Sequence, residues 1–446
     1  MHWPSVKPTA GMKPKLAVIL VLAAILTAVT TGASTANTSL VSISSAPVSL
    51  AWGPYMTGTS ASGTVINVKT HDISLVTVFY AEEGYYKTQH TLNKSATDGL
   101  TGLLHHVTLN GLEAGTTYCY QVSCNGAITP VYTFSTFPTS GAISFIVYGD
   151  NQDELPQFSQ AERHQLVAER IAAEEDVLFV LNTGDLVNDG SDNANWDRYF
   201  AAARSMSARL PVYPVRGNHD GDTKFYDIFG ISPYYSFDCG DAHFTMLDTI
   251  GDHPGQTEWL KADLANHQPW KFVFCHYPIY TSEANHFGGW ENFKSDWENI
   301  FIANQVAAVW SGHIHVYERY LENGIMYIVG GTGGGPYDIL EPTRFAGHQN
   351  SLEHCLGYSK VTLNPVLGTA IVQFIQVADI SIDGKQVTLL PPGVVFETFI
   401  LTSPPAAGPA LGPDEYGEGR PGSIWSRFKS WLRGILISVM GSSQAQ

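Results

Sequence analysis

Two patterns of hydrophobic and polar residues divide the chain. Between about residues 37 and 139, short segments such as 63–68 and 75–80 alternate apolar with polar residues and are separated by Gly, Ser, Asn and Asp. A period of two indicates half-buried β-strands, and no extended helical period runs through this part, which favours a small all-β sandwich. From about residue 140, strand-like runs alternate with helical patterns, which predicts an α/β domain.

The N-terminal residues follow neither pattern. In residues 1–36, Lys13 and Lys15 precede the apolar run 16–29, and small residues follow it. This arrangement is typical of a signal peptide, so we expect a secreted or cell-surface protein. An uncleaved N-terminal anchor is the alternative, although the run is short for a membrane-spanning helix.

The C-terminal residues form a linker and a tail. Residues 404–422 are rich in Pro and Gly, which predicts a linker without a core of its own. Residues 423–446 are a basic tail in which the apolar side chains between Ile424 and Met440 share one face of a predicted amphipathic helix. Such a helix fits peripheral membrane contact through 424–440 or docking on protein, and the pattern leaves both open.

Composition limits the partners of the protein. The 446 residues are 44% hydrophobic, which excludes a disordered chain, and the formal charge is −17. Because such an acidic surface repels nucleic acid backbones, we expect no nucleic acid partner, and the oligomeric state stays open. An anionic substrate would need locally placed cations, for which bound metal ions are the obvious candidates. Five cysteines suit an oxidising compartment, but their odd count leaves at least one unpaired and their spacing selects no pairs.

Five apolar, strand-like runs end in motifs that can bind metal. Open α/β sheets place their sites at the carboxyl ends of strands. One Gly-Asp pair is often only a turn with a side-chain hydrogen bond, but a matched set of carboxylate, amide and imidazole groups indicates a metal site. The motifs are Gly149-Asp150-Asn151-Gln152, Gly184-Asp185, Gly217-Asn218-His219-Asp220, His276 and Gly312-His313-Ile314-His315.

The order of these motifs resembles that of the calcineurin-like metallophosphoesterases. The extended motif Gly-His-Ile-His-Val-Tyr-Glu-Arg at 312–319, together with the preceding sandwich, is similar to the purple acid phosphatase branch. The resemblance implies a fibronectin type III-like domain over 37–139. It also implies a four-layer α/β/β/α metallophosphoesterase sandwich over 140–403.

The same resemblance implies hydrolysis of a small phosphate-ester substrate, most readily a phosphomonoester. A phosphodiesterase or nucleotide hydrolase of the same fold is the alternative. A non-catalytic metal-binding or adhesion module is the rival from another class of proteins.

The resemblance also assigns roles to individual residues. It implies two divalent metal ions, Mn, Fe or Zn, which together activate a water molecule for attack on phosphorus. His219 would donate a proton to the leaving oxygen, Asp220 would fix the tautomer of His219, and His286 would bind on the phosphate side. Asp185 would bridge the metals, with Asp150 and His315 on one ion and Asn218, His276 and His313 on the other.

Two positions depart from the purple acid phosphatase pattern. The metal-binding tyrosine three residues after the bridging carboxylate is replaced by Asn188, and a histidine found in many related enzymes is replaced by Gln152. The remaining ligands suit divalent Mn, Fe or Zn better than a ferric ion. Gln152 and Asn188 are therefore possible additional ligands through their amide oxygens, with a turn hydrogen bond as the alternative for each.

Overall fold

The computed structural model describes residues 50–99, 102–155 and 159–402. The predicted signal peptide, linker and amphipathic tail lie outside these residues. None of the helices in the described ranges combines the length and the apolar character that crossing a membrane requires.

The first part of the described chain is a sandwich of two antiparallel sheets, as the alternation predicted. Its strands are β1 (Leu50–Thr57), β2 (Gly63–Ser74), β3 (Val76–Glu82), β4 (Lys94–Thr97), β5 (Gly102–Asn110), β6 (Thr117–Cys124), β7 (Ala127–Ile128) and β8 (Tyr132–Ser135). One sheet has the order β1-β2-β5, and the other has the order β4-β3-β6-β7 with β8 beside β6. The prediction missed helix α1 (Glu83–Gln89), which buries none of its residues and so shows no apolar face in the sequence.

The second part contains two seven-stranded sheets. The strands of the first sheet are β9 (Ile143–Tyr148), β10 (Phe179–Asn182), β11 (Val212–Pro214), β19 (Cys355–Asn364), β20 (Thr369–Ile380), β21 (Val387–Leu389) and β22 (Val395–Thr402). Their order is β11-β10-β9-β19-β20-β21, with β22 also paired to β20. The strands of the second sheet are β12 (Tyr235–Cys239), β13 (Ala242–Met246), β14 (Trp270–Phe274), β15 (Ala308–Ser311), β16 (Tyr317–Glu322), β17 (Ile325–Gly330) and β18 (His348–Leu352). Their order is β12-β13-β14-β15-β17-β16-β18.

Helices cover the outer faces of the two sheets and complete the four layers, which confirms the predicted fold. They are α2 (His164–Ala172), α3 (Asn193–Ser207), α4 (Thr223–Phe229), α5 (Gln256–Leu264) and α6 (Glu291–Ala303), with a short 3₁₀ helix at Ala284–His286. Helices α2, α3 and α4 pack on the first sheet, and α5 and α6 pack on the second.

An aromatic core fills the space between the sheets. Phe145 of the first sheet meets Phe244 of the second edge-to-face, with their ring centroids 5.1 Å apart. Trp310 and Phe272 extend the same contact. Because helices cover the other face of each sheet, the central strands are buried on both faces and appear in the sequence as continuous apolar runs.

The parallel strands bring the polar motifs to one edge. Strands β9, β10 and β11 are parallel, and so are β14 and β15. Their carboxyl ends carry the five motifs. A cleft of about 740 Å³ between the two parts, lined in part by Ser135, Asp176 and Arg209, lies instead at the amino-terminal side of β9 and β10. The larger cavity is therefore separate from the metal-capable residues.

The sandwich is bonded directly to the α/β part. The hydroxyl of Tyr55 donates a hydrogen bond to the carbonyl of Ile228, and the hydroxyl of Tyr120 donates one to the carbonyl of Ala208, both at 2.6 Å. All five cysteines lie in the described ranges, where they are buried and unpaired.

Candidate active site

The structure brings the predicted metal ligands together in two overlapping groups. The potential ligand atoms of Asp185, His276 and His313 lie within 4.8 Å of one another, and so do those of Asp150, Asp185 and His315. Asp185 is common to both groups. This is the arrangement that a bridging carboxylate between two ions requires.

Asn218, the remaining predicted ligand, joins the first group. Its Oδ1 lies 2.9 Å from Nε2 of His276. The same Nε2 lies 3.2 Å from Nδ1 of His313 and 3.4 Å from Oδ2 of Asp185. One carboxylate, one amide and two imidazoles therefore face a common point.

The backbone at these positions is unusual. Asp150, Asp185 and His313 adopt φ angles of 57°, 53° and 69°, in the left-handed region that non-glycine residues seldom occupy. Such strain is typical of functional sites. Glycine is required at Gly217 and Gly312, because a Cβ atom there would lie 2.1 Å from Oδ1 of Asp185 and 2.2 Å from Oδ2 of Asp150.

Backbone carbonyls set the tautomers of two candidate ligands. Nδ1 of His276 donates to the carbonyl of Thr183 at 2.8 Å, and Nδ1 of His315 donates to the carbonyl of Pro336. Each bond leaves Nε2 directed at the carboxylates. Metal-binding histidines commonly use this arrangement, because it fixes the ring and leaves the ligating nitrogen unprotonated.

The electrostatics of the cluster favour bound cations. Burial alone would lower the pKa of His276, but Asp185 and Asp150 outweigh burial and raise this pKa to about 9. The pKa of His315 is raised to about 9 in the same way, mainly by Asp150. Oδ2 of Asp150 is buried without a hydrogen-bond partner. A buried carboxylate oxygen without a partner fits a site for divalent metal ions. So do the raised pKa values of the two histidines, because the same carboxylates that attract protons to the rings would attract metal cations.

Of the two substituted positions, only Gln152 lies in the cluster. Its Nε2 is 3.2 Å from Nε2 of His315 and 3.4 Å from Oδ2 of Asp185, while its Oε1 is buried without a partner. Rotating the amide by 180° would direct Oε1 toward the candidate ligands. Asn188 is exposed and does not line the pocket, so the structure does not bring its side chain to the metal groups.

His219 lies beside the cluster, with a different partner from the one predicted. Its Nδ1 donates to the backbone carbonyl of Asn188 at 2.9 Å, which leaves Nε2 available to the pocket. The prediction that Asp220 fixes this tautomer is wrong. Asp220 is fully buried and uses both of its oxygens to accept backbone N–H groups, including those of Asp185 and Gly217.

His286 reaches the same pocket from the 3₁₀ helix. Its Nδ1 lies 2.8 Å from Oε2 of Glu283, and its ring stacks on Trp290 with a centroid separation of 4.5 Å. Glu283 is almost fully buried and also accepts the backbone N–H of Asn285. Sequence reasoning missed Glu283. Its position three residues before His286, in a turn, was the only signal available.

These residues surround a pocket of about 190 Å³. Sequence reasoning had not identified Asp338, which lines the pocket from the loop after β17. The lining residues are Gln152, Asp185, His219, Glu283, Asn285, His286, His313, Ile314, His315 and Asp338.

Comparison with known proteins finds two families. Residues 143–317 match the calcineurin-like phosphoesterase family, and residues 36–136 match the purple acid phosphatase N-terminal domain. Purple acid phosphatase 22 of Arabidopsis thaliana is 29% identical over 49% of this chain and 54% of its own length. Phosphoenolpyruvate phosphatase of Allium cepa is 26% identical over 56% of this chain and 57% of its own length. The chain thus spans about half the length of these relatives.

Two solved structures share the fold. A purple acid phosphatase from yellow lupin (Lupinus luteus) seeds superposes with a TM-score of 0.64 at 17% identity, covering 78% of this chain and 74% of that one. PhoD superposes with a TM-score of 0.62 at 12% identity, covering 81% and 91%. At these identities the likeness shows the architecture alone.

Proposed function

Because the chain combines a calcineurin-like phosphoesterase domain with a purple acid phosphatase N-terminal domain, we propose that it is a metal-dependent phosphomonoesterase. The observation that carries the proposal is the pair of ligand groups that share Asp185, a residue that lines a pocket. The names of the matched relatives support the monoester class.

Six side chains would hold two divalent ions. Asp150, Asp185 and His315 would bind one ion, and Asp185, Asn218, His276 and His313 would bind the other. Bound there, the ions would supply an activated water and neutralise the charge of the phosphoryl group. The carbonyls of Thr183 and Pro336 keep His276 and His315 in the tautomer that ligation needs.

Two histidines would act on the substrate, one by donating a proton and the other by binding phosphate. His219 is held through Nδ1 by the carbonyl of Asn188, so its Nε2 is the nitrogen available to donate a proton to the leaving oxygen. His286 is held through Nδ1 by Glu283, so its Nε2 is available to bind a phosphate oxygen. Both rings line the pocket beside Asp185.

The test is hydrolysis of a matched monoester and diester by the metal-reconstituted protein. We expect release of p-nitrophenol from p-nitrophenyl phosphate and much slower release from bis(p-nitrophenyl) phosphate. The variant Asp185→Asn, compared with Asp252→Asn at an exposed loop position, should lose this activity. Faster cleavage of the diester would show that the protein is a phosphodiesterase. No cleavage of either substrate would indicate a non-catalytic metal-binding module.

We infer further that the protein is exported, on the strength of the predicted signal peptide in residues 1–36. Fusion of these residues to a reporter enzyme should direct the reporter out of the cell, and retention of the reporter would contradict export. Sedimentation with anionic lipid vesicles distinguishes the two roles that the sequence leaves open for residues 424–440, membrane contact, which we propose, and docking on protein. The full chain should pellet with the vesicles, whereas a chain ending at Pro404 should stay in solution and keep its activity.

A further inference from the structure

A buried acidic side chain lies behind the pocket, close in sequence to the candidate ligands. Glu318 is the third residue after His315, on β16, and it is fully buried. It does not line the pocket, and the roles assigned above leave it unused. Burying a carboxyl group is costly unless hydrogen bonds compensate for the lost water. The partners of Glu318 therefore indicate its role.

These partners join β16 to the segment that carries His286. Oε2 of Glu318 accepts the hydroxyl of Thr281 at 2.6 Å, and Oε1 accepts the backbone N–H of Ser282 at 3.1 Å. Oε1 also accepts the hydroxyl of Tyr320 at 2.6 Å, and this hydroxyl lies 2.6 Å from Oγ of Ser282. Thr281, Ser282 and Tyr320 are fully buried, which shields these bonds from competing water.

A second set of hydrogen bonds continues from this segment to His286. Oγ1 of Thr281 accepts the backbone N–H of Glu283 at 3.1 Å. Oε2 of Glu283 lies 2.8 Å from Nδ1 of His286 and accepts the backbone N–H of the same residue at 3.1 Å. A continuous set of contacts thus runs from Glu318 through Thr281 and Glu283 to the ring of His286.

We propose that Glu318 is a positioning residue for phosphate binding, which fixes residues 281–286, and with them His286, relative to the ligand motif at 312–315. The inference rests on the proposed phosphomonoesterase function, in which Nε2 of His286 binds a phosphate oxygen. Such a hydrogen bond depends on a donor held at the right distance and direction. Loosening residues 281–286 therefore weakens phosphate binding.

The variant Glu318→Gln keeps the size of the side chain and replaces one acceptor oxygen with an NH₂ group. In either orientation of the amide, this NH₂ group would face a group that now donates to Glu318. The candidate ligands His276 and His315 are held by the carbonyls of Thr183 and Pro336 instead. The metal content should therefore stay at the wild-type level.

The variant Glu397→Gln is the matched control. Glu397 is also mostly buried and also bonds to β16, where it accepts hydrogen bonds from Tyr317 and Arg319. Side chains alternate along a strand, so Tyr317 and Arg319 point to the face of β16 opposite Glu318. Loss of this carboxylate should lower stability without changing phosphate binding.

The experiment uses metal-reconstituted protein and measures the dissociation constant of inorganic phosphate by calorimetry, with KM and kcat for p-nitrophenyl phosphate. We expect Glu318→Gln to raise the dissociation constant and KM by about three- to tenfold. Its kcat should change less, because a hydrogen bond to phosphate is made in the bound substrate as well as in the transition state. Glu397→Gln should keep the wild-type values. Adding Glu318→Gln to His286→Ala should raise KM no further.

A second pair of variants keeps the test independent of whether Glu318→Gln folds. Thr281→Val keeps the shape of the side chain but removes the hydroxyl that links Glu318 to Glu283. Thr281→Ser keeps that hydroxyl. We expect Thr281→Val to raise the dissociation constant of phosphate by about threefold or more, and Thr281→Ser to stay close to the wild type.

The failure of this inference differs from the failure of the proposed function. Wild-type affinity for phosphate in both Glu318→Gln and Thr281→Val would overturn the role of Glu318, and so would a loss of affinity matched by loss of metal. Hydrolysis of p-nitrophenyl phosphate by the wild type would leave the phosphomonoesterase standing in either case. Weaker phosphate binding by both variants, without hydrolysis by the metal-loaded wild type, would overturn the proposed function and leave the positioning role.

Discussion

The carboxylate of Asp220 accepts a hydrogen bond from the backbone N–H of Asp185 at 2.9 Å. It also accepts the N–H groups of Leu186 at 2.7 Å and Gly217 at 2.8 Å. Asp220 thereby ties the turn that carries the shared ligand Asp185 to the turn that carries Asn218. Its task is to hold these two turns in register.

Replacing this carboxylate by an amide should disturb both turns. In Asp220→Asn, an NH₂ group would face backbone N–H donors, and at least one of the hydrogen bonds that this side chain accepts would be lost. We expect the free energy of unfolding to fall by about 2 to 4 kcal/mol, together with a lower metal content. Urea unfolding and elemental analysis measure the two effects. Asp252→Asn, at an exposed position, should change stability by less than about 0.5 kcal/mol, and an equally small effect of Asp220→Asn would refute the role of Asp220.

His219→Ala should reduce the rate without removing the metal. Loss of a proton donor should lower kcat by about 10²- to 10⁴-fold. The loss should be larger for an alkyl phosphate than for p-nitrophenyl phosphate, because only the poor leaving group needs protonation. His267→Ala, which changes an exposed histidine, serves as the control. Parallel losses of metal and rate would instead place His219 among the ligands.

Glu283 should act through His286. Glu283→Ala removes the acceptor of Nδ1 of His286, so we expect KM to rise by about tenfold or more if this ring binds phosphate. Glu283→Gln keeps an acceptor oxygen and should restore most of the affinity. The double variant Glu283→Ala/His286→Ala should have a KM no higher than that of His286→Ala alone. If the rise in KM of the double variant equals the product of the rises in the two single variants, Glu283 supports the loop independently of His286.

The candidate ligands could be predicted from sequence because each follows a buried strand. Continuous apolar runs locate such strands, and parallel strands bring their carboxyl ends to one edge. Asp185 and His313 were predicted in this way, although no sequence pattern predicts the left-handed backbone conformation of these two residues.

The contacts of the remaining site residues could not be predicted. Asp220 is adjacent to His219 in sequence, but its side chain points to backbone groups of a different turn, a direction that sequence proximity does not determine. Glu283 and Asp338 come from irregular loops without periodicity. Their meeting at the pocket depends on a bridge between segments far apart in the chain.

A histidine away from the site should make stability depend on pH. The ring of His243 lies between Asp238 and Asp263, with nitrogen-to-oxygen distances of 2.7 Å and 2.9 Å. Burial lowers the pKa of His243, but the hydrogen bonds to Asp263 and Asp238 outweigh burial and raise this pKa above 6.5. The protonated ring therefore stabilises the folded state, fully below pH of about 6.5, and this contribution is lost as pH rises through the raised value.

Urea unfolding of the wild type and His243→Gln between about pH 5 and pH 9 measures this contribution. The stability advantage of the wild type should be largest at the acidic end and should shrink as pH rises. His267→Gln should follow the wild type throughout. A constant difference between the wild type and His243→Gln would show that the ring stays neutral in the fold.

The number of metal ions per active chain tests the central claim most directly. Elemental analysis of the protein titrated with Mn, Fe or Zn after chelation should give two ions per chain at full phosphomonoesterase activity, and none after chelation has abolished that activity. Asp185→Asn should bind fewer ions and show no activity, because both ligand groups share this carboxylate. Full activity with a single ion per chain would contradict the two-metal site.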